Sequence, residues 1–181
     1  MTLQFARADA TQAQAITALF HDSFAASDGP EEGAAIAALV TDLTQHTPAS
    51  DIRMIVAQDA GALVGATIYS ALTFAEDPDP VALMSPVAVR PAAQGQGVGQ
   101  ALISWGLGHL AAAGVTAVIT YGDPSYYGRT GFAQISARDA APPYPLSQPQ
   151  GWLGQRLDGA PWRPLRGASC AVPAFARPEL W

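Results

Sequence analysis

"VAVRPAAQGQGVGQAL", residues 87–102, sets three glycines into five positions between an apolar run and a helical pattern. Gly95, Gly97 and Gly99 at such a junction admit three readings: a tight turn without chemistry, a dinucleotide-binding fingerprint, or a backbone cradle for another anion. The dinucleotide fingerprint needs G-x-G-x-x-G after the first strand of a βαβ unit, with an acidic residue about 20 positions on. Here the spacing is G-x-G-x-G, it follows what reads as a fourth strand, and the region around Ile119 offers no acid. A P-loop needs Gly-Lys-Ser or Gly-Lys-Thr, and the chain has no lysine. A bare turn and an anion cradle remain. No Asp or Glu lies between Arg90 and Leu110. Flexible glycines let backbone N–H groups converge, and a helix beginning near Val98 would add its positive end, a field that suits a diphosphate.

The flanking sequence supplies alternating elements. Leu3, Phe5 and Arg7 read as a first strand, and a helical pattern from Thr11 is expected to end in "SDGPEEG" at residues 27–33. Ile36, Leu39, Val40 and Leu43 form the apolar stripe of a second helix. "IRMIVAQD" and "LVGATIYSALTF" read as strands joined by a hairpin turn at Asp59-Ala60-Gly61. "FAEDPDP" separates them from a strand "VALMSPVAV", in which Pro86 removes a ladder donor and suggests a bulge or an edge. A helix over 98–112 and a buried strand "VTAVITY" follow, then a short strand at 133–137. The Pro-, Gly- and Trp-rich remainder reads as a wrapped irregular extension with a last strand near 168–172. Tyr144, Trp152, Leu153, Leu157 and Trp162 are too costly to leave in water for it to be disordered.

Composition narrows the partners. At 181 residues the chain is long enough for one substantial core. Nine basic residues, all arginine, against 15 acidic ones give a net charge of −6. Such a balance lacks the basic stripe of a nucleic-acid binder, and the absence of lysine excludes lysine Schiff-base chemistry. No apolar run is long enough for a membrane span, and residues 1–7 carry no signal-like pattern. The single cysteine, Cys170, has small apolar neighbours and reads as a buried structural thiol. A cytoplasmic protein is the expectation, with no nucleic-acid or membrane partner and no metal, because His21, His46 and His109 have no ligand-spaced companions.

With these residues in view, "VRPAAQGQGVGQALISWGL" resembles the pyrophosphate-binding segment of the Gcn5-related N-acetyltransferase (GNAT) superfamily, whose pattern Gln/Arg-x-x-Gly-x-Gly/Ala falls on Gln94, Gly97 and Gly99. "YGDPSYYGRTGF", residues 121–132, is similar to the Tyr-x-x-x-Gly-Phe ending of that superfamily's fourth helix, as found in its YhbS-like acetyltransferases. The resemblance covers about residues 3–137. It implies an α/β (α+β) fold with a mixed, mostly antiparallel central sheet flanked by helices. It also implies a splayed, bulged fourth strand, beside the Pro/Gly/Trp-rich C-terminal extension. Residues 1–137 would form the acyltransferase core and 138–181 an extension packed on the same domain.

The implied cosubstrate is acetyl-coenzyme A (acetyl-CoA). Its diphosphate would lie on the amides of Gln94, Gly95, Gln96, Gly97, Val98, Gly99 and Gln100, with Arg129 as a further contact. Val87, Ala88 and Val89 match the strand positions that hold the pantetheine arm and polarise the thioester carbonyl. Tyr127 matches the tyrosine that protonates the departing thiolate; Tyr126 is its rival, and the motif spacing favours Tyr127. Where many members carry an asparagine after the fifth strand, this chain has Gly122 and Asp123 before Pro124, and Asp123 suits a helix cap. Asp28, Glu31 and Glu32 are candidates for a substrate mouth, Ser85 is too weak a base alone, and the general base stays unassigned. The expected reaction is direct transfer of acetyl to a primary amine of a small molecule or peptide, in a ternary complex, since no nucleophile serves an acyl-enzyme. A non-catalytic coenzyme A sensor or interaction module is the alternative. A homodimer suits the architecture.

Overall fold

In a computed structural model the described residues are 2–181. The order of elements is β1 (Leu3–Arg7), α1 (Ala13–Asp28), α2 (Pro30–His46), β2 (Ile52–Asp59), β3 (Ala62–Phe74), β4 (Asp77–Val89), α3 (Val98–Ala112), β5 (Ala117–Tyr121), α4 (Pro124–Tyr127), β6 (Ala133–Gln134), β7 (Trp152–Arg156) and β8 (Ser169–Ala171). The strands hydrogen-bond in the order β1-β2-β3-β4-β5-β7-β6, with β8 pairing β3 off that path. The pairs β1/β2, β3/β8, β5/β7 and β6/β7 are antiparallel and β4/β5 is parallel. The chain divides into two compact units that exchange within β3, β4 and α3: one runs to Tyr69 and includes Pro86–Gly106, the other holds Ser70–Ser85 and Leu107–Trp181.

The first unit is built on an α-hairpin. Asp9 accepts a hydrogen bond from Thr11 N–H at 2.8 Å within a capping box that opens the turn into α1. Ile16, Leu19 and Phe20 of α1 and Leu39, Val40 and Leu43 of α2 are buried. The interruption expected over residues 27–33 is a single residue, Gly29, at φ 100°. Pro30 begins α2 directly, because proline's fixed φ suits a first helical position. Gly33 allows the helices to touch: a Cβ there would sit 2.6 Å from Ala25 Cβ. The β2–β3 turn is the expected one, with Ala60 and Gly61 at φ 47° and 81°. Both central residues then match the twist of a two-residue hairpin. Gly65 brings β3 close to Leu102 of α3, and the Tyr69 hydroxyl reaches the Ile103 carbonyl at 3.5 Å.

The second unit is centred on β5, whose residues Ala117–Thr120 are buried. Three sequence expectations are corrected here. "DPDP" is not a separator: β4 begins at Asp77, so the β3–β4 link is only Ala75 and Glu76. Pro78 and Pro80 are tolerated because each is exposed, as alternate strand residues at the start of β4 are. The stretch after Trp152 is not irregular, since β7 pairs with β5 from Ala117↔Arg156 to Tyr121↔Trp152. Its only apolar side chains are Trp152 and Leu153, so no alternation announced it. The strand expected at 133–137 shrinks to Ala133–Gln134. The last strand is found where expected, as β8.

Two aspartates at the start of β4 tie down the extension. Arg163 donates to both oxygens of the buried Asp77, at 2.6 and 2.9 Å, and pairs with Asp79 at 2.8 Å. Arg156 pairs with Asp79 at 3.0 Å and with Asp158. These hydrogen bonds hold the Asp77 carboxyl far below the ordinary carboxylate range, and Arg156 lowers Asp158 to about 2. Trp152 donates its indole N–H to the Ala140 carbonyl at 2.9 Å, and Trp181 stacks on Tyr121.

Candidate active site

The glycine loop lies in the first unit, between β4 and α3. Arg90 pins the end of β4 to β3, its N–H donating to the Val64 carbonyl at 2.9 Å and its Nε to the Leu63 carbonyl at 2.8 Å. Pro91–Ala93 form one 3₁₀ turn. Gln94 then folds back, its amide donating to the Val89 carbonyl at 2.9 Å, and Gln96 donates likewise to Ala92 at 3.1 Å. Both glutamine side chains therefore brace the loop from within. Gly95 and Gly97 stand at φ 72° and 79°, the left-handed region that other residues enter only at a cost. Around each, a Cβ would meet nothing within 4 Å. Glycine is there for backbone shape, and the loop opens onto free space. Gly99 differs: it is buried in the first turn of α3. That turn carries no acidic side chain, so its N–H groups present an unopposed positive end.

The tail of β4 leads into this loop. Registered pairing with β5 runs from Val81↔Ala117 to Met84↔Thr120, and β4 continues to Val89. Pro86 falls just beyond the last pair, where a missing donor costs nothing to that ladder. Val87 and Val89 are half-buried and Ala88 is buried.

Tyr127 lies in the second unit, at the end of α4. Asp123 caps this short helix, accepting from Ser125 N–H and Oγ at 2.8 Å each, with Pro124 at the first helical position. The Tyr127 ring packs edge-on against Phe132 and Tyr126, with centroids 6.0 and 5.1 Å away. Burial pushes its phenol up to about 12; negative charge at Tyr126 and Asp123 acts in the same direction, and a hydrogen bond with the Thr120 hydroxyl opposes it. The phenol is therefore an O–H donor throughout the working range. Tyr126 is also raised, by burial alone.

The remaining candidates separate. Arg129 is exposed in the turn after Tyr127, and its charge helps lower Asp123. Asp28, Glu31 and Glu32 are exposed, and the two glutamates sit in the first turn of α2, where negative charge stabilises a helix. A groove of about 1230 Å³ does run along α1 and α2, but Arg7, Asp9, Thr17, His21, Thr41 and Gln45 are among its walls and none of those three acids is. Cys170 is exposed on β8, contrary to the buried thiol expected, because this three-residue strand lies off the main strand path and pairs with β3. Trp152 is core, and Trp162 lies over Gly154, where a Cβ would come within 2.6 Å of its ring. Among the described residues no group of three or more His, Cys, Asp or Glu could hold a metal ion, and no helix is long and apolar enough to cross a membrane. Gly122, at the position where many members carry asparagine, lies against the Tyr127 ring: a Cβ there would come within 2.6 Å of Cε2.

Comparison with known proteins bears on the fold and the family. A family model described as an acetyltransferase (GNAT) domain matches residues 4–135. The chain is 32% identical over 140 residues to the uncharacterized N-acetyltransferase YjhQ of Escherichia coli (strain K12), covering 75% of this chain and 77% of that one. It is 32% identical over 127 residues to the uncharacterized N-acetyltransferase YhbS of the same strain, covering 70% and 71%. The crystal structure of E. coli YhbS in complex with CoA superposes with a TM-score of 0.79 at 27% identity, over 97% of this chain and 92% of that chain. A GNAT family acetyltransferase from Brucella melitensis in complex with acetyl-CoA shares the fold, with a TM-score of 0.73 at 23% identity over 96% and 98%. On the family match and the relatives at 32% identity, this chain belongs to the GNAT family of acetyltransferases.

Proposed function

We propose that this protein transfers an acetyl group from acetyl-CoA directly to a primary amine of a small molecule or peptide. The observation that carries the reading is the loop before α3: two left-handed glycines, open space above them, and a helix start free of acidic side chains. These features fit a diphosphate, which needs converging N–H donors and no competing negative charge. With no lysine in the chain, backbone amides of Gln94–Gln100 carry that contact. Arg129 adds a cation for a phosphate.

Each step has a residue. The N–H groups of Val87–Val89, on the part of β4 past its last pair with β5, polarise the thioester carbonyl as charge builds on its oxygen. The neutral amine attacks the carbonyl carbon, a C–N bond forms, and the C–S bond breaks with its electron pair going to sulfur. Tyr127 gives its phenolic proton to that sulfur and recovers one from solvent. The proton lost by the amine also passes to water. The net charge of −6 favours approach of cationic amines.

The test is thiol release from acetyl-CoA with spermidine, glycinamide and a tripeptide as acceptors. Acceptor-dependent release, reduced about 100-fold in Tyr127→Phe at unchanged KM for acetyl-CoA, is expected of a general acid. Saturable acetyl-CoA binding without thiol release would instead identify a coenzyme A sensor.

A further inference from the structure

Beside the ring of Tyr127, within the same compact unit, the chain leaves a small cavity. Its volume is about 400 Å³, and its walls include Tyr121, Gly122 and Asp123 on one side and Ser147, Gln148 and Gln150 on the other. Hydrogen bonds join the two sides. The Tyr121 hydroxyl accepts from Gln148 N–H at 2.7 Å and is hydrogen-bonded with Ser147 Oγ at 2.9 Å, and Gly122 N–H donates to the Gly151 carbonyl at 2.9 Å. The fit is close, since a Cβ on Gly151 would come within 2.9 Å of the Gly122 oxygen. Tyr121 is itself held, stacked on Trp181 and edge-on to Trp152. Gly122 is shared: it walls the cavity, and a Cβ on it would lie 2.6 Å from Tyr127 Cε2. The cavity therefore adjoins the ring to which proton transfer to sulfur is assigned.

We propose that this cavity binds a second cationic group of the acceptor, held by the Asp123 carboxylate, so that the preferred acceptor is an aliphatic diamine. The inference rests on the transfer reaction proposed above and names its substrate class. The balance of donors sets the sign of the ligand. The N–H groups of Gly122, Gln148 and Gly151 are spent on the Gly151 carbonyl, the Tyr121 hydroxyl and the Gln148 carbonyl, and Pro124, also in the wall, has none. The Gln150 amide donates to Gln148 Oε1 at 3.3 Å. Asp123 is exposed and accepts one hydrogen bond at each oxygen, from Ser125 N–H and Oγ, which leaves each oxygen a further lone pair. Among the described residues that wall the cavity, Asp123 carries the one charge. A site short of donors and holding one anion takes a cation rich in donors, an ammonium. That ammonium is not the amine that reacts. A carboxylate partner favours the charged form, which has no lone pair with which to attack. The acceptor accordingly carries two amines: one stays protonated on Asp123, and the other attacks the thioester as the neutral form.

Thiol release from acetyl-CoA with diaminopropane, diaminobutane and diaminopentane, against propylamine, butylamine and pentylamine, tests this. The readout is the ratio of kcat/KM for a diamine to that for the monoamine of equal length. The wild type is expected to favour its best diamine about tenfold. Asp123→Asn keeps a side-chain oxygen for the Ser125 N–H, and with it the helix cap, but removes the charge. Its ratio is expected to fall to about two, the statistical factor for two equal amines. Gln150→Arg, at an exposed position, puts a cation in the wall and is expected to lower the ratio as far with Asp123 still in place. A weakened cap or a displaced Tyr127 would slow both classes of acceptor alike and leave the ratio standing. A wild-type ratio of about two or less, or a ratio that survives both substitutions, would overturn the cation site. If no amine releases thiol, the transfer reading fails, and the cavity is judged by calorimetric titration with diaminobutane. Binding weakened about fivefold or more by Asp123→Asn supports the site, and equal or absent binding overturns it.

Discussion

Tyr127 is where the chemistry narrows to one atom. Its phenol titrates near 12 because burial penalises the phenolate. The sign follows: the neutral form is favoured in the folded protein, and ionisation destabilises the fold only as pH rises from about 10 through 12. Difference absorbance titration of the wild type against Tyr127→Phe is expected to show no phenolate from this residue below pH 11, and the kcat profile should have no basic limb from it there. A tyrosine titrating near 10 would contradict its burial. The motif spacing singled out this residue in the sequence, whereas the packing around it was not legible: Gly122 reads as the end of a strand until the ring beside it is seen. At the loop, by contrast, the glycines alone announced a backbone demand. Gly95 and Gly97 meet it by left-handed φ, and Gly99 meets it differently, inside the helix.

At the scale of elements, β4 joins the two demands placed on it. Its first part is paired with β5 and anchored by arginines, and its last part runs past the ladder into the loop. Arg163→Ala removes the guanidinium that donates to both oxygens of the buried Asp77 carboxylate and leaves it the backbone N–H groups of Asp79 and Arg166. We expect it to lower the melting temperature by several degrees, read by differential scanning calorimetry at pH 7, more than Arg163→Ala combined with Asp77→Asn. An uncompensated buried charge is worse than a missing pair. The same network gives an acid dependence. The carboxyls of Asp77 and Asp158 titrate below their unfolded value of 3.8, so their stabilisation is complete above about pH 4 and drains as pH falls below it. A melting temperature flat from pH 7 to 2 would contradict this. The helices and the inner strands were legible from period alone, since Leu39, Val40 and Leu43 or the run of β5 leave little choice. β7 was not. Its pattern Trp-Leu-Gly-Gln-Arg is set by what lies beside it, β5 and β6, and no local signal carries that information.

For the whole molecule, the family was readable before the fold because two short motifs, separated by about 30 residues, are each tied to backbone geometry that few sequences need. The extension was the hard part. Its tryptophans promised packing, and Trp152 and Trp181 do pack, but placing β7 between β5 and β6 is a long-range event. The central claim concerns the loop, and calorimetric titration with acetyl-CoA tests it most directly, beside dephospho- and desulfo-coenzyme A and with Gly97→Val as the variant. A bulky residue at φ 79° is strained and projects into the open space above the loop. The account predicts micromolar binding by the wild type and at least tenfold weaker binding by Gly97→Val, with both proteins folded. No binding by folded wild-type protein, or equal binding by Gly97→Val, would contradict it.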